Sequence, residues 1–167
     1  MLVLGSSSKA RKLLLESMGV KPDLVIAPNI NETRLKNESP RDYVNRISGE
    51  KLNSVDVLND DFLIAADTIV VAGRSILNKT TDRLLALKNL NTLSGRRHTV
   101  LTNVCIRHNK KSFSFLTKTT VKMRLLSDFE IENYLDTKEW ENKAGSYAIQ
   151  GKGGCFVFSI SGCYSQW

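Results

Sequence analysis

The stretch Phe62-Leu-Ile-Ala-Ala-Asp67-Thr68-Ile-Val-Val-Ala72 decides the fold. It is rich in β-formers and apolar at every position but two, without the polar alternation of a half-exposed strand. It therefore predicts a central strand covered on both faces. The two exceptions, Asp67 and Thr68, carry the functional signal. A carboxylate inside such a strand loses its hydration and requires a metal, a cation or donated hydrogen bonds. At a strand's C-terminal end it opens into the crevice where α/β folds hold ligands.

Working outward, Leu2-Val-Leu predicts a short strand that stops at Gly5, after which Ser8 caps a helix to about Met18. Leu13, Leu14 and Met18 have helical spacing for its core face. Asp23 to Ala27 predicts a second short strand. Ser39-Pro-Arg-Asp42 is a helix start, with Ser as cap, Pro in the first turn and Asp at the positive end. That helix runs to about Val55 and buries Tyr43, Val44, Ile47 and Leu52. Thr80 or Thr81 opens another, carrying Leu84, Leu85, Leu87 and Leu90 to Ser94-Gly95. Segments 98–108 and 112–125 read as long strands joined by a turn at Asn109-Lys-Lys. Ser127-x-x-Glu130 is a capping box for a helix to about Leu135, and the glycine-rich tail reads as short strands and turns. Alternating element types give an α/β domain with a mixed sheet.

The chain has 167 residues, of which 41% are apolar and 25% charged, enough for one domain over 1–167 with its own core. No apolar run approaches the ~18 residues of a membrane span. The N-terminus has no basic region before its apolar run and does not read as a signal peptide, so a soluble cytoplasmic protein is expected. A net charge of +7 favours an anionic partner such as a phosphorylated small molecule or a nucleic acid. Aromatics are not interleaved with the basic residues, which argues against a stacking platform for single strands. Cys105, Cys155 and Cys163 form no metal-finger spacing and His98 and His108 have no partner motif, so all five read as structural.

Three other places suit chemistry. Gly5-Ser6-Ser-Ser8-Lys-Ala10-Arg11-Lys places hydroxyls, free N–H groups and cations at a strand-to-helix junction, which suits phosphate. It lacks the spacing of the common phosphate loops, and an ordinary capped helix reads equally well. Lys79 follows a turn and precedes a helix. Asn142-Lys-Ala-Gly-Ser-Tyr-Ala-Ile-Gln150-Gly151 combines a lysine, glycines and an amide, and its glycines allow backbone to approach a ligand closely. Glu32, in a polar loop, and Lys51, late in a helix, read individually as surface residues.

In order along nearly the whole chain, these segments resemble the Maf family of nucleoside triphosphate pyrophosphatases, once described as septum-formation inhibitors. The matches are Leu4-Gly-Ser-Ser-Ser-Lys-Ala-Arg-Lys-Leu-Leu, Asn31-Glu32, Glu38-Ser-Pro-Arg, Glu50-Lys51, Ala66-Asp-Thr-Ile-Val, Leu93-Ser-Gly and 143–151. The resemblance implies an α/β fold of two lobes around a nucleotide cleft, often homodimeric, with no membrane and no stable nucleic-acid partner. It implies hydrolysis of a nucleoside triphosphate to monophosphate and pyrophosphate with a divalent metal, Mg²⁺ or Mn²⁺, in nucleotide-pool housekeeping, with a link to cell-division arrest. Carried over by position, Asp67 is the catalytic proton acceptor. Ser6, Ser8, Arg11, Glu32, Lys51, Lys79 and Gln150 line the phosphate and base site, and Glu32 with Asp67 would hold the metal.

Specificity positions fall on Ala10, Thr68 and Gln150. Much of the family has Ser-Pro-Arg-Arg where this chain has Ser8-Lys-Ala10-Arg11. Thr68 and Gln150 match the dTTP/UTP branch, not the 7-methyl-GTP branch, whereas Ala10 lacks the arginine associated with that preference. Modified nucleotides are therefore also expected substrates. Asn142 replaces a common Asp or Gly. The family usually continues past Gly-x-Tyr into a Val-Val-Gly-Leu-Pro segment and a last helix, whereas this sequence has Gly162-Cys-Tyr-Ser-Gln-Trp167. An apolar patch is expected there unless another element covers it. The alternative reading is an inactive nucleotide- or nucleic-acid-binding protein, or a purine-type inosine triphosphatase of similar fold.

Overall fold

A computed structural model describes residues 1–166. It is an α/β structure with seven strands and four α-helices: β1 (Leu2–Gly5), α1 (Lys9–Ser17), β2 (Leu24–Ile26), α2 (Pro40–Asn53), β3 (Phe62–Ala72), β4 (Ser75–Leu77), α3 (Arg83–Leu93), β5 (Arg97–His108), β6 (Lys111–Met123), α4 (Asp128–Asp136) and β7 (Val157–Ser161). The sheet is mixed, in the order β2-β1-β3-β5-β6-β7, with β4 paired to β3. The chain divides into two compact units, and three of the four boundaries fall inside β3, β5 and β6, the fourth after Tyr164.

The first unit comprises Met1–Thr68 and Thr102–Thr117, with Ser165 and Gln166. β1 lies parallel to β2 and to β3, and its pairing with β3 ends at Gly5 opposite Ala65. Val3, Leu52, Val55, Leu63, Ala65 and Cys105 form the core cluster. Cys105 is thus the buried thiol expected of it. Helix α2 is capped by Ser39, with Pro at its start, and buries Tyr43, Val44, Ile47 and Leu52. Beside this core, Asn103 Nδ2 donates to Ser48 Oγ at 2.6 Å and to Ser114 Oγ at 3.0 Å, a polar tie between α2, β5 and β6.

Helix α1 corrects one expectation. Ser8 does cap it, but Leu13 and Met18 are 64% and 63% exposed, and no residue of the helix is fully buried. Polar contacts in its first turn set its orientation: the Ser8 cap, and the Arg11 side chain reaching the Ala66 carbonyl at 2.7 Å. The apolar stripe follows that orientation only in part, with Leu14 and Leu15 half-buried.

The second unit comprises Ile69–Leu101 and Lys118–Tyr164, with antiparallel pairs β3–β4 and β6–β7. Helix α3 is capped by Asp82, whose carboxylate accepts from the Leu84 and Leu85 N–H groups, not by Thr80 or Thr81. Thr80 Oγ1 instead accepts from Asp82 N–H at 2.9 Å, one step upstream. The buried face is Ala86, Asn89, Leu90 and Leu93, while Leu84 and Leu85 are exposed. A run of leucines leaves the helix phase open, and here Asn89 fixes it by donating to Ser146 Oγ at 2.9 Å inside the core. The Ser127/Glu130 capping box forms as expected at α4.

His98 is buried, with Nε2 2.7 Å from Tyr147 Oη, and burial pushes its pKa down to about 4. His108 stacks on Phe62, and Cys155 and Cys163 are exposed. None of the helices is long and apolar enough to cross a membrane, among the described residues.

Candidate active site

The pairing of β1 with β3 stops at Ala65, and β3 runs on, so Asp67 lies two residues past the carboxyl end of β1. It lies inside the strand β3, as the apolar run around it predicts, and not at that strand's end. Its position still lies just beyond the end of a parallel partner, where open sheets hold ligands. Asp67 is 2% exposed and takes a cation as its partner: Lys51 Nζ is 2.7 Å from Asp67 Oδ1.

Lys51 is buried for a simple reason. Tyr43, Ile47 and Lys51 are four residues apart on α2, so the periodicity that buries Ile47 also turns Lys51 inward. Its ammonium has a second carboxylate, Glu32 Oε1, at 2.8 Å. Glu32 is half-exposed on its loop. Lys51 and Glu32, which each read as surface in the sequence, thus form a chain that ends on Asp67, with the two carboxylates sharing one ammonium.

The Glu32 loop is held by α2. Tyr43 Oη donates to the Glu32 carbonyl at 2.8 Å, and Arg46 donates to the Thr33 carbonyl at 3.1 Å and to Glu38 Oε1 at 2.6 Å. Burial, together with the Asp67 and Glu32 charges, pushes the Tyr43 phenol up to about 12, which keeps it a donor. The Arg46 hydrogen bond holds the Glu38 carboxyl down to about 2. Sequence reading missed Tyr43 and Arg46 as loop anchors. The available signal was a tyrosine and an arginine on α2 facing a polar loop that contains two glutamates.

Arg11 completes the arrangement in this unit. Its guanidinium donates to the Ala66 carbonyl at 2.7 Å, to Ser6 Oγ at 3.2 Å and to Thr68 Oγ1 at 3.3 Å. Burial lowers its pKa, and the Asp67 and Glu32 charges oppose that shift. Ser6 Oγ also accepts from Ser8 N–H, and Ser8 Oγ accepts from Arg11 N–H. Acceptor sides of both hydroxyls therefore face N–H donors, which leaves their hydrogens for an oxygen acceptor. Ala10, beside Arg11 on α1, adds no polar group.

Lys79 and Gln150 belong to the second unit. Lys79 lies between β4 and α3, and Gln150 is an exposed residue in the turn before a short 3₁₀ segment, Lys152–Phe156. The close approach permitted at Gly151 is filled by this chain's own Glu139 carboxylate, which accepts from the Lys152 N–H at 3.1 Å and the Gly153 N–H at 3.3 Å. Among the described residues, no group of three or more His, Cys, Asp or Glu side chains is placed to hold a metal.

Fold and site together define an α/β protein with a buried carboxylate–ammonium–guanidinium network just beyond its parallel strand ends. Residues 1–166 match the family model described as Maf-like protein, and the chain belongs to that family. It is 44% identical over 99% of its length to a dTTP/UTP pyrophosphatase of Roseobacter denitrificans, covering 88% of that protein. It is 43% identical to a nucleoside triphosphate pyrophosphatase of Anaplasma marginale and 44% identical to one of Ehrlichia canis. In both cases 99% of this chain is matched, with 85% and 87% of the relative covered.

Proposed function

We propose that this chain hydrolyses nucleoside triphosphates to the monophosphate and pyrophosphate. The names of its relatives support the reaction, and the single observation that carries it is the Lys51 ammonium shared between Asp67 and Glu32. The α-phosphorus is shielded by negative oxygens, so attack by water depends on charge neutralisation and positioning more than on covalent chemistry. Asp67 accepts the proton of the attacking water. Lys51 and Glu32 hold its carboxylate in place, and Arg11 with the Ser6 and Ser8 hydroxyls binds phosphate oxygens. The family resemblance adds Lys79 and Gln150 as substrate contacts.

The charges of the network favour a divalent metal. Arg11 and Lys51 against Asp67 and Glu32 give 2 − 2 = 0, so a triphosphate brings uncompensated negative charge. Two carboxylates converging on one cation are hard oxygen donors of the kind Mg²⁺ takes, and among the described residues no third His, Cys, Asp or Glu joins them, which suits an ion held in part by substrate phosphates. Glu32 and Asp67 would hold the ion, which when bound supplies the remaining charge neutralisation. Thr68, on the Arg11 guanidinium, matches the dTTP/UTP branch, and we read pyrimidine triphosphates as the first substrates to test.

The test is pyrophosphate release from canonical, methylated and deaminated triphosphates, with Mg²⁺ and with chelator. Equal amounts of monophosphate and pyrophosphate, lost on chelation, are expected. Binding of nucleotide without release would overturn hydrolysis and favour a binding protein. Binding of nucleic acid instead, with a steep salt dependence, would do the same.

A further inference from the structure

We infer that Thr102, through Thr68, is a positioning residue for the Arg11 guanidinium. This rests on the proposed reaction only in its kinetic consequences. The two threonine hydroxyls are 3.0 Å apart, Arg11 lies at one end of the pair and the Gln166 carbonyl at the other. A guanidinium only donates and a carbonyl only accepts, while each hydroxyl has one hydrogen to give. Thr102 Oγ1 donates to the Gln166 carbonyl at 2.9 Å, which uses its hydrogen. It therefore accepts from Thr68, and Thr68 in turn presents a lone pair to Arg11 Nη2 at 3.3 Å. The direction of the whole chain is fixed by its ends.

Thr102 is 5% exposed and makes no direct bond to Arg11, so it acts only through this order. Without its hydroxyl, the Thr68 hydrogen has lost its acceptor and Thr68 is free to rotate. The third donor contact of the guanidinium is then weakened, while the contacts to Ala66 and Ser6 remain. Arg11 stays in the site but turns more freely about Cζ. A residue on β5 thus sets the orientation of a cation on α1.

The experiment compares wild type, T102V and T102S in the full chain by pyrophosphate release and by ¹⁵N NMR of the Arg11 guanidinium. Valine keeps the shape and removes the hydroxyl, and serine keeps the hydroxyl. T102V is expected to lower kcat/KM about fivefold, carried by KM, the size of one hydrogen bond. It should also merge the resolved Arg11 Nη signals, and T102S should restore both. T68V should have the same effect on the Arg11 signals, with no added effect in the double variant, which keeps the test open if T102V folds poorly. If wild type releases no pyrophosphate, the proposed reaction fails and the Arg11 signals alone decide this inference. Unchanged Arg11 signals in T102V or T68V, or failure of T102S to restore them, would overturn it.

Discussion

Lys51 Nζ and Asp67 Oδ1 meet at 2.7 Å, with 8% and 3% of their side chains exposed, so each is the charge that permits the other to be buried. Lys51 keeps Glu32 as a second partner, whereas the Asp67 carboxylate has lost nearly all contact with water. The pair is therefore unequal. K51M leaves an unpaired carboxylate in the core and should cost about 3–5 kcal/mol of stability. D67N leaves the ammonium with Glu32 and should cost less. Urea unfolding of the two variants side by side checks the order, and equal losses would contradict it.

Stability should fall as the pH drops from about 6.5 to 4. His98 has its pKa held down to about 4 by burial, from an ordinary 6.5. Over that window the unfolded chain takes up a proton that the folded chain refuses, which favours unfolding as pH falls. The full loss is about 3 kcal/mol, reached near pH 4 and constant below it as far as His98 is concerned. Glu38 and Glu130 are held down to about 2, so their own contributions are lost below about 4.5, in a separate window. Unfolding followed between pH 7 and 4.5 should show the slope, and H98Q should flatten it.

Gly145 has φ of +70°, and a Cβ there would meet Val70 Cγ1 at 2.9 Å. G145A should therefore lose about 1–3 kcal/mol, from strain and overlap together. Adding V70A removes the two Cγ contacts but leaves the Cβ of residue 70 at 3.0 Å and the dihedral unchanged. Compared with V70A alone, the double variant should still be destabilised, by less than G145A in the wild-type background. Thermal melts of the four proteins check this.

Wherever hydrophobic period and cap chemistry agree, the fold was legible in the sequence. Ser39-Pro40 started α2 and the Tyr43/Val44/Ile47/Leu52 face was buried, and Phe62–Ala72 formed the central strand at its expected bounds. Asn109 and Lys110, at φ of 48° and 62°, form the turn read between two long strands. The reading lapsed where a polar contact outranked an apolar stripe. Arg11 sets the attitude of α1, and Asn89 sets the phase of α3. Asp67 was legible because an acid breaks an apolar run. Lys51 was not, because a lysine late in a helix is ordinary until a buried acid faces it, although its spacing from Tyr43 and Ile47 already placed it inward. Thr102 had no signal at all: a threonine in a strand has an unremarkable side chain, and only the direction of its hydrogen bonds distinguishes it.

The most direct test of the central claim is pyrophosphate release from dTTP and UTP by wild type and D67N, with nucleotide binding measured on the same samples. Asp67 as proton acceptor predicts a loss of about 10²–10⁴-fold in turnover. Binding should stay within severalfold, because Arg11 and the Ser6 and Ser8 hydroxyls are untouched. Folded D67N that releases pyrophosphate at the wild-type rate would contradict the account.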